Sequence, residues 1–176
     1  GTDRFGWSEK TICEVLAERK AAGKDQGRRI YVATKAGRAP TSVAPGDHGP
    51  ERYTYEALKE SLAESASRLG VECVDLLQLH CPPPEVLAAD SATYDALRKL
   101  KEEKLILHWG VSVETVEEGY LAIRQPDCAT VQVNTTAWDL CHWVGSQTVC
   151  GCCVADHLQH AQAQASDFWV PRCRQG

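Results

Sequence analysis

The chain has 176 residues, of which 43% are hydrophobic and 24% charged, and its formal net charge is −5. This composition is typical of a folded domain with its own core, and the acidic balance disfavours nucleic acid and anionic membranes as partners. No apolar run approaches the roughly 20 residues that a membrane-spanning helix needs, and the first residues do not resemble a signal peptide. We therefore expect a cytoplasmic protein without nucleic-acid or membrane partners.

Helices and strands are predicted to alternate along the first three quarters of the chain. The predicted helices are residues 8–22, 55–69, 91–103 and 113–124, with Ser8, Thr54 and Ser112 as N-caps and Gly70 after the second helix. The predicted strands are residues 28–34, 74–80, 105–112 and 129–133. Residues 36–52 are predicted to form a long surface loop. Strands that alternate with helices in this way predict an α/β fold with a parallel sheet.

The second predicted strand is the first place to look for a functional site. Residues 74–80 form a short apolar run that ends in His80, and Cys81 and three prolines follow it. Side chains that perform chemistry in parallel α/β folds lie at the carboxyl ends of strands. His80 is therefore a candidate site residue, and Lys35 stands at the same end of the preceding strand.

Several stretches, in this order and spacing, resemble the aldo-keto reductase family. They are Asp3–Gly6 with Ser8-Glu9, Ala33-Thr34-Lys35, Glu60–Leu62 with Arg68–Gly70, Val74–His80, Gly110-Val111-Ser112 and Val131–Val133. The resemblance covers about residues 3–133. It implies an NADPH-dependent carbonyl reductase on a (β/α)8 TIM barrel, of which this segment supplies about four βα units, the third to sixth strands of the family barrel.

The resemblance also assigns roles to individual residues. In the family a tyrosine protonates the substrate carbonyl, a lysine lowers the pKa of that tyrosine and a histidine orients the substrate. Lys35 matches the lysine and His80 the histidine, while Ser112 and Gln132 match positions that hold the nicotinamide carboxamide. The tyrosine position carries Phe5, which has no hydroxyl, and the aspartate that pairs with the lysine would lie ahead of Gly1.

These departures, together with the missing barrel strands, predict a truncated or diverged reductase with impaired or no activity on small-molecule carbonyl compounds. A half barrel also leaves unpaired strand edges and an uncovered interior. The alternative is therefore a non-catalytic binding or regulatory subunit, which docks on a second copy or another protein through the exposed barrel edges.

The last predicted region, residues 138–176, fits no βα unit and is predicted to be a tail separate from residues 1–137. Its cysteines, with His157 and His160, are the candidate ligands for a zinc site. Zinc ligands usually show Cys-x2–4-Cys and His-x3–5-His spacing, whereas Cys150-Gly-Cys152-Cys153 is tighter. We therefore predict no metal site and interpret the tail as exposed and prone to oxidation.

Overall fold

The computed structural model describes residues 6–24, 29–38 and 49–133. All of these belong to the first of two compact units, which ends at Val133. Phe5, residues 39–48 of the predicted loop and the cysteine-rich tail lie outside the described residues, so the boundary between residues 137 and 138 stays a prediction.

Helices and strands alternate through the described residues. In chain order they are α1 Trp7–Ala21, β1 Ala33–Ala36, α2 Tyr55–Leu69, β2 Val74–His80, α3 Ala92–Glu102, β3 Ile106–Val113, α4 Val116–Ile123 and β4 Cys128–Val133. A 3-10 helix, Pro50–Tyr53, precedes α2 and begins near the end of the predicted surface loop.

The four strands form one parallel sheet in the order β1-β2-β3-β4. The sequence prediction of a parallel α/β sheet is therefore confirmed. Because all strands run the same way, their carboxyl ends meet at one edge of the sheet. Lys35, His80, Ser112 and Gln132 all lie towards that edge.

The two faces of the sheet differ in chemistry. The apolar core includes Leu77, Leu79, Trp109 and Val111, which are all fully buried, and the ring of Trp109 contacts that of Tyr94 on α3, with ring centroids 5.6 Å apart. Side chains alternate between faces along a strand. The residues between these positions therefore lie on the opposite face, which carries the polar candidates.

Two helix starts differ from the sequence prediction. Ser8 does not cap α1, because the N-cap is Gly6 in a left-handed conformation and no side chain caps this helix. The fourth helix begins at Val116 and not at residue 113. There, Thr115 and Glu118 form a capping box, in which each side chain binds the other residue's backbone N–H.

The first strand also lies later in the sequence than predicted, at Ala33–Ala36 instead of residues 28–34. The cause is a buried carboxylate on the neighbouring strand. Asp75 accepts a hydrogen bond from the backbone N–H of Val32 at 2.8 Å, and it also pairs with the side chain of Arg29. Side-chain bonds therefore anchor the segment before Ala33.

Candidate active site

The sheet register places the candidate residues in two adjacent rows on one face. The row nearer the carboxyl edge contains His80, Ser112 and Gln132, which are direct neighbours on β2, β3 and β4. The row below it contains Lys35, Gln78, Gly110 and Thr130. The residues that the sequence predicted as catalytic and cofactor-binding are thus brought together, except for Phe5, which lies outside the described residues.

His80 ends β2 and has a fixed backbone. Its carbonyl oxygen accepts a hydrogen bond from the hydroxyl of Tyr53 at 2.9 Å, and burial raises the pKa of Tyr53, so this phenol stays protonated and can donate. The next residue, Cys81, has a positive φ of 47°, and its N–H donates to the carbonyl of Ser112 at 2.7 Å. The chain therefore turns directly after His80, and hydrogen bonds hold both the carbonyl before the turn and the N–H of Cys81 within it.

Lys35 lies within β1, where its side chain is half-buried. Its ammonium donates a hydrogen bond to the hydroxyl of Ser112 at 2.9 Å, although these residues belong to strands that are not neighbours. The bond thus crosses β2 and joins the predicted catalytic lysine to a predicted cofactor-binding residue. Ser112 itself is buried in β3. It is not the helix cap that the sequence suggested, because Thr115 has that role.

Gln132 is exposed at the end of β4. The reason is its position in the sheet. Among the described residues, β4 is an edge strand, paired only with β3. The amide of Gln132 is therefore accessible beside the buried hydroxyl of Ser112.

Two residues of the site were not identified from the sequence. Gln78 is 8% exposed and its side-chain amide donates to the hydroxyl of Thr130 at 3.3 Å. A signal for it existed, because Gln78 is a polar residue between two leucines, two positions before His80. Tyr53 had no such signal, since it directly follows the predicted surface loop and precedes the cap of the second helix.

The described residues give no indication of a metal centre or of a membrane span. Among them, no three His, Cys, Asp or Glu side chains are grouped so as to hold a metal ion. None of the helices in this part of the chain is long and apolar enough to cross a bilayer. The cysteines and histidines considered for zinc lie outside the described residues.

Comparison with known proteins identifies the class of protein to which this fold belongs. The model of the aldo/keto reductase family matches residues 4–158. The chain belongs to the aldo/keto reductase family. The match extends beyond residue 133, where the resemblance read from the sequence ended.

A curated relative is D-threo-aldose 1-dehydrogenase of a Pseudomonas species, which is 30% identical over 82 residues, 46% of this chain and 25% of the relative. Solved structures agree on the fold. An aldo/keto reductase from Klebsiella pneumoniae, in complex with NADP and acetate, is 21% identical with a TM-score of 0.54, and the alignment covers 92% of this chain and 54% of that one. Glycerol dehydrogenase from Gluconobacter oxydans is 26% identical with a TM-score of 0.52, over 73% and 37% of the two chains.

The chain therefore spans about a quarter of the curated relative's length and about half or less of these two solved structures. The α/β fold is a partial (β/α)8 barrel, as the sequence resemblance implied.

Proposed function

We propose that this chain is part of an NADPH-dependent carbonyl reductase, in which Lys35 and His80 serve the carbonyl group of a small aldehyde or ketone. The cytoplasmic location expected from the sequence belongs to this proposal. Catalysis by the chain as given is impaired, because the residue at the proton-donor position is Phe5.

The observation that carries the proposal is the shared face at the carboxyl edge of the sheet. A lysine ammonium, a histidine and a serine hydroxyl come together there from three different strands. Active sites of (β/α)8 enzymes are built from the ends of several strands in this way. A purely structural role would not require a charged lysine to reach across a neighbouring strand.

The residues present are compatible with a nicotinamide carboxamide. The hydroxyl of Ser112 accepts one bond from Lys35 and still has its own proton to donate. The exposed amide of Gln132, on the neighbouring strand, offers both a donor and an acceptor. Ser112 and Gln132 would therefore hold the carboxamide, and the bound cofactor would supply the hydride.

The impairment follows from elementary acid–base chemistry. A carbonyl oxygen that receives hydride must also receive a proton, and a positioned side chain that supplies it contributes typically 10²- to 10⁴-fold in rate. The phenylalanine ring at position 5 cannot do so. Lys35, which would lower the pKa of a phenol, instead donates to Ser112.

Cofactor binding tests this proposal without requiring turnover. Wild-type protein is titrated with NADPH, and the fluorescence of the bound nucleotide is recorded. Ser112→Ala and Gln132→Ala are each expected to weaken binding about 3- to 10-fold, the effect of one lost hydrogen bond. The control Ser67→Ala, on the exposed side of α2, should bind like wild type. No NADPH binding by the wild-type chain would contradict the proposal.

A second candidate is a non-catalytic binding or regulatory subunit. The observation in its favour is the pair of edge strands in the described sheet, β1 and β4, together with two exposed aromatic side chains, Trp7 on α1 and Tyr31 before β1, which are 66% and 69% exposed. Large exposed apolar patches mark interaction sites on soluble proteins. Light scattering on the purified chain, together with the NADPH titration, separates the two candidates. A monodisperse monomer that binds NADPH favours the reductase and argues against a subunit that docks on another chain.

A further inference from the structure

The strand that carries Gln132 contains an irregularity next to the site. Trp109 on β3 pairs with Cys128 on β4, whereas the next residue, Gly110, pairs with Thr130, so that Ala129 is an extra residue in a bulge. Because side chains alternate between faces, a one-residue change of register moves every later side chain to the other face. The bulge thus decides which residues of β4 face the site.

The contacts on both sides of β4 agree with this register. Val131 and Val133 lie against Gly119 of α4, on the face that packs on the helices. Gln132, between them, therefore lies on the opposite face, beside Ser112. Without the extra residue, the partner of Ser112 would be Val131, and no amide would stand next to the serine hydroxyl.

A side-chain hydrogen bond spans the three strands at the bulge. The amide Nε2 of Gln78 on β2 donates to Oγ1 of Thr130 on β4, at 3.3 Å. Gly110 lies between them in the same row, and its lack of a side chain leaves the path open. A Cβ atom at Gly110 would lie 2.1 Å from that hydroxyl oxygen and 2.4 Å from the carbonyl oxygen of Thr130.

We infer that Gln78 and Thr130 are a positioning pair, whose hydrogen bond across Gly110 fixes the bulge and thereby keeps Gln132 beside Ser112. The bond lies one row below these two residues, on the same face. The part of this inference that concerns the cofactor rests on the proposed function, whereas the part that concerns strand register does not.

The register arm of the test uses amide hydrogen exchange, followed by NMR on the full chain. Thr130→Val keeps the shape of the side chain and removes the hydroxyl, while Thr130→Ser keeps the hydroxyl. We expect the amides of residues 130–133 to exchange about 3- to 10-fold faster in Thr130→Val, as the loss of one hydrogen bond implies, with β2 unchanged. Thr130→Ser should exchange like wild type.

For the Thr130 variants, three results would overturn the inference. They are unchanged exchange in Thr130→Val, acceleration that is equal in all four strands, and failure of Thr130→Ser to preserve protection. Gln78→Met removes the donor of the same hydrogen bond and keeps a side chain of similar length. This variant must reproduce the exchange pattern of Thr130→Val. A different pattern would equally overturn the inference, and this variant serves as the test if Thr130→Val does not fold.

The cofactor arm measures the dissociation constant for NADPH. It should rise about 3- to 10-fold in Thr130→Val and in Gln78→Met but not in Thr130→Ser. Faster exchange in β4 with unchanged NADPH affinity would reject the positioning role. A wild-type chain that does not bind NADPH would contradict the proposed function instead, while the exchange arm would still decide whether the pair sets the register.

Discussion

Position 5 is where a single side chain has the largest expected consequence. Phe5→Tyr supplies the phenol that the proposed reaction needs, and a general acid contributes typically 10²- to 10⁴-fold in rate. We expect NADPH-dependent reduction of an aldehyde to rise within that range, as followed by absorbance of the reduced nucleotide. Phe5→Leu is the matched control and should give no increase.

Lys35 provides the second half of this experiment. A phenol has a pKa near 10 and becomes a better acid only beside a cation. Lys35→Met in the Phe5→Tyr background should therefore remove most of the gained activity. If the gain persists without the ammonium, the assignment of Lys35 as the partner of the proton donor is wrong.

Tyr53 is the residue that fixes the backbone at His80. Tyr53→Phe removes the hydroxyl that donates to the carbonyl of His80, and we expect a loss of about 1–3 kcal/mol in the free energy of unfolding, since a partly buried acceptor loses its partner. Urea denaturation measures this loss. Tyr31→Phe, at an exposed tyrosine, should change stability by less than about 0.5 kcal/mol, and an equal effect of both substitutions would refute the role of Tyr53.

Three elements are joined by one buried carboxylate. Glu9 on α1 accepts hydrogen bonds from Thr34 on β1 at 2.6 Å and from Arg68 on α2 at 2.5 Å. Burial alone would raise the pKa of Glu9, but the hydrogen bonds from Thr34, Arg68 and Ser65 outweigh it, and the folded-state pKa lies below the ordinary value of 4.5. The ionised form of Glu9 is thus the one that stabilises the fold.

The pH dependence of stability follows from the direction of this shift. A lowered folded-state pKa contributes stability that is fully present above the unfolded-state pKa and is lost as pH falls through the folded-state pKa. We expect the free energy of unfolding of wild type to fall more steeply below about pH 4.5 than that of Glu9→Gln. Urea titrations between pH 3 and pH 7, about the range in which carboxylates titrate, measure both curves, and parallel curves would contradict the prediction.

The short helix α4 depends on its N-terminal cap. It has eight residues, and the side chains of Thr115 and Glu118 satisfy backbone N–H groups at its start. Thr115→Ala should lower the free energy of unfolding by about 1 kcal/mol, the usual cost of a lost N-cap. Thr11→Ala, at an exposed position inside α1, is the control and should not destabilise the protein. Equal losses in thermal denaturation would show that the cap is not the cause.

The elements that the sequence predicted well are those with strong local signals. β2 begins and ends where predicted, at Val74 and His80, because it is a short apolar run with three prolines one residue beyond its end. Thr54 and Gly70 delimit α2 as expected. The boundary between β3 and α4 was misplaced, since Ser112 and Thr115 are both good caps by type. Only the pairing of β3 with its neighbouring strands shows that the strand continues to Val113.

The residues of the candidate site could be predicted from their positions at strand ends, but the contacts between them could not. Sequence order and the family resemblance predicted Lys35, His80, Ser112 and Gln132 as residues of the site. The bond from Lys35 to Ser112 depends on the packing of three strands, and the partnership of Gln78 with Thr130 depends on a bulge. Neither has a local sequence signal, because each arises from residues more than 50 positions apart.

At the scale of the whole molecule, the described residues combine a well-packed core with uncovered apolar side chains. On α1, Trp7, Ile12 and Val15 are each more than a third exposed, and Glu9 is the buried residue of this helix. β1 is an edge strand of the described sheet, and edge strands with nearby apolar surface favour association with another chain. We therefore expect the purified chain to self-associate.

Charge substitutions on α1 test this expectation. Val15→Lys places a charge in the apolar surface and should shift the sedimentation profile towards the monomer, because a desolvated lysine disfavours burial in an interface. Ala17→Lys adds the same charge at an exposed position two residues further along α1, which does not face Val15, and should leave the profile unchanged. A shift of equal size in both variants would indicate that net charge governs association, and a wild-type chain that is already monomeric would remove the basis for a docking role of α1.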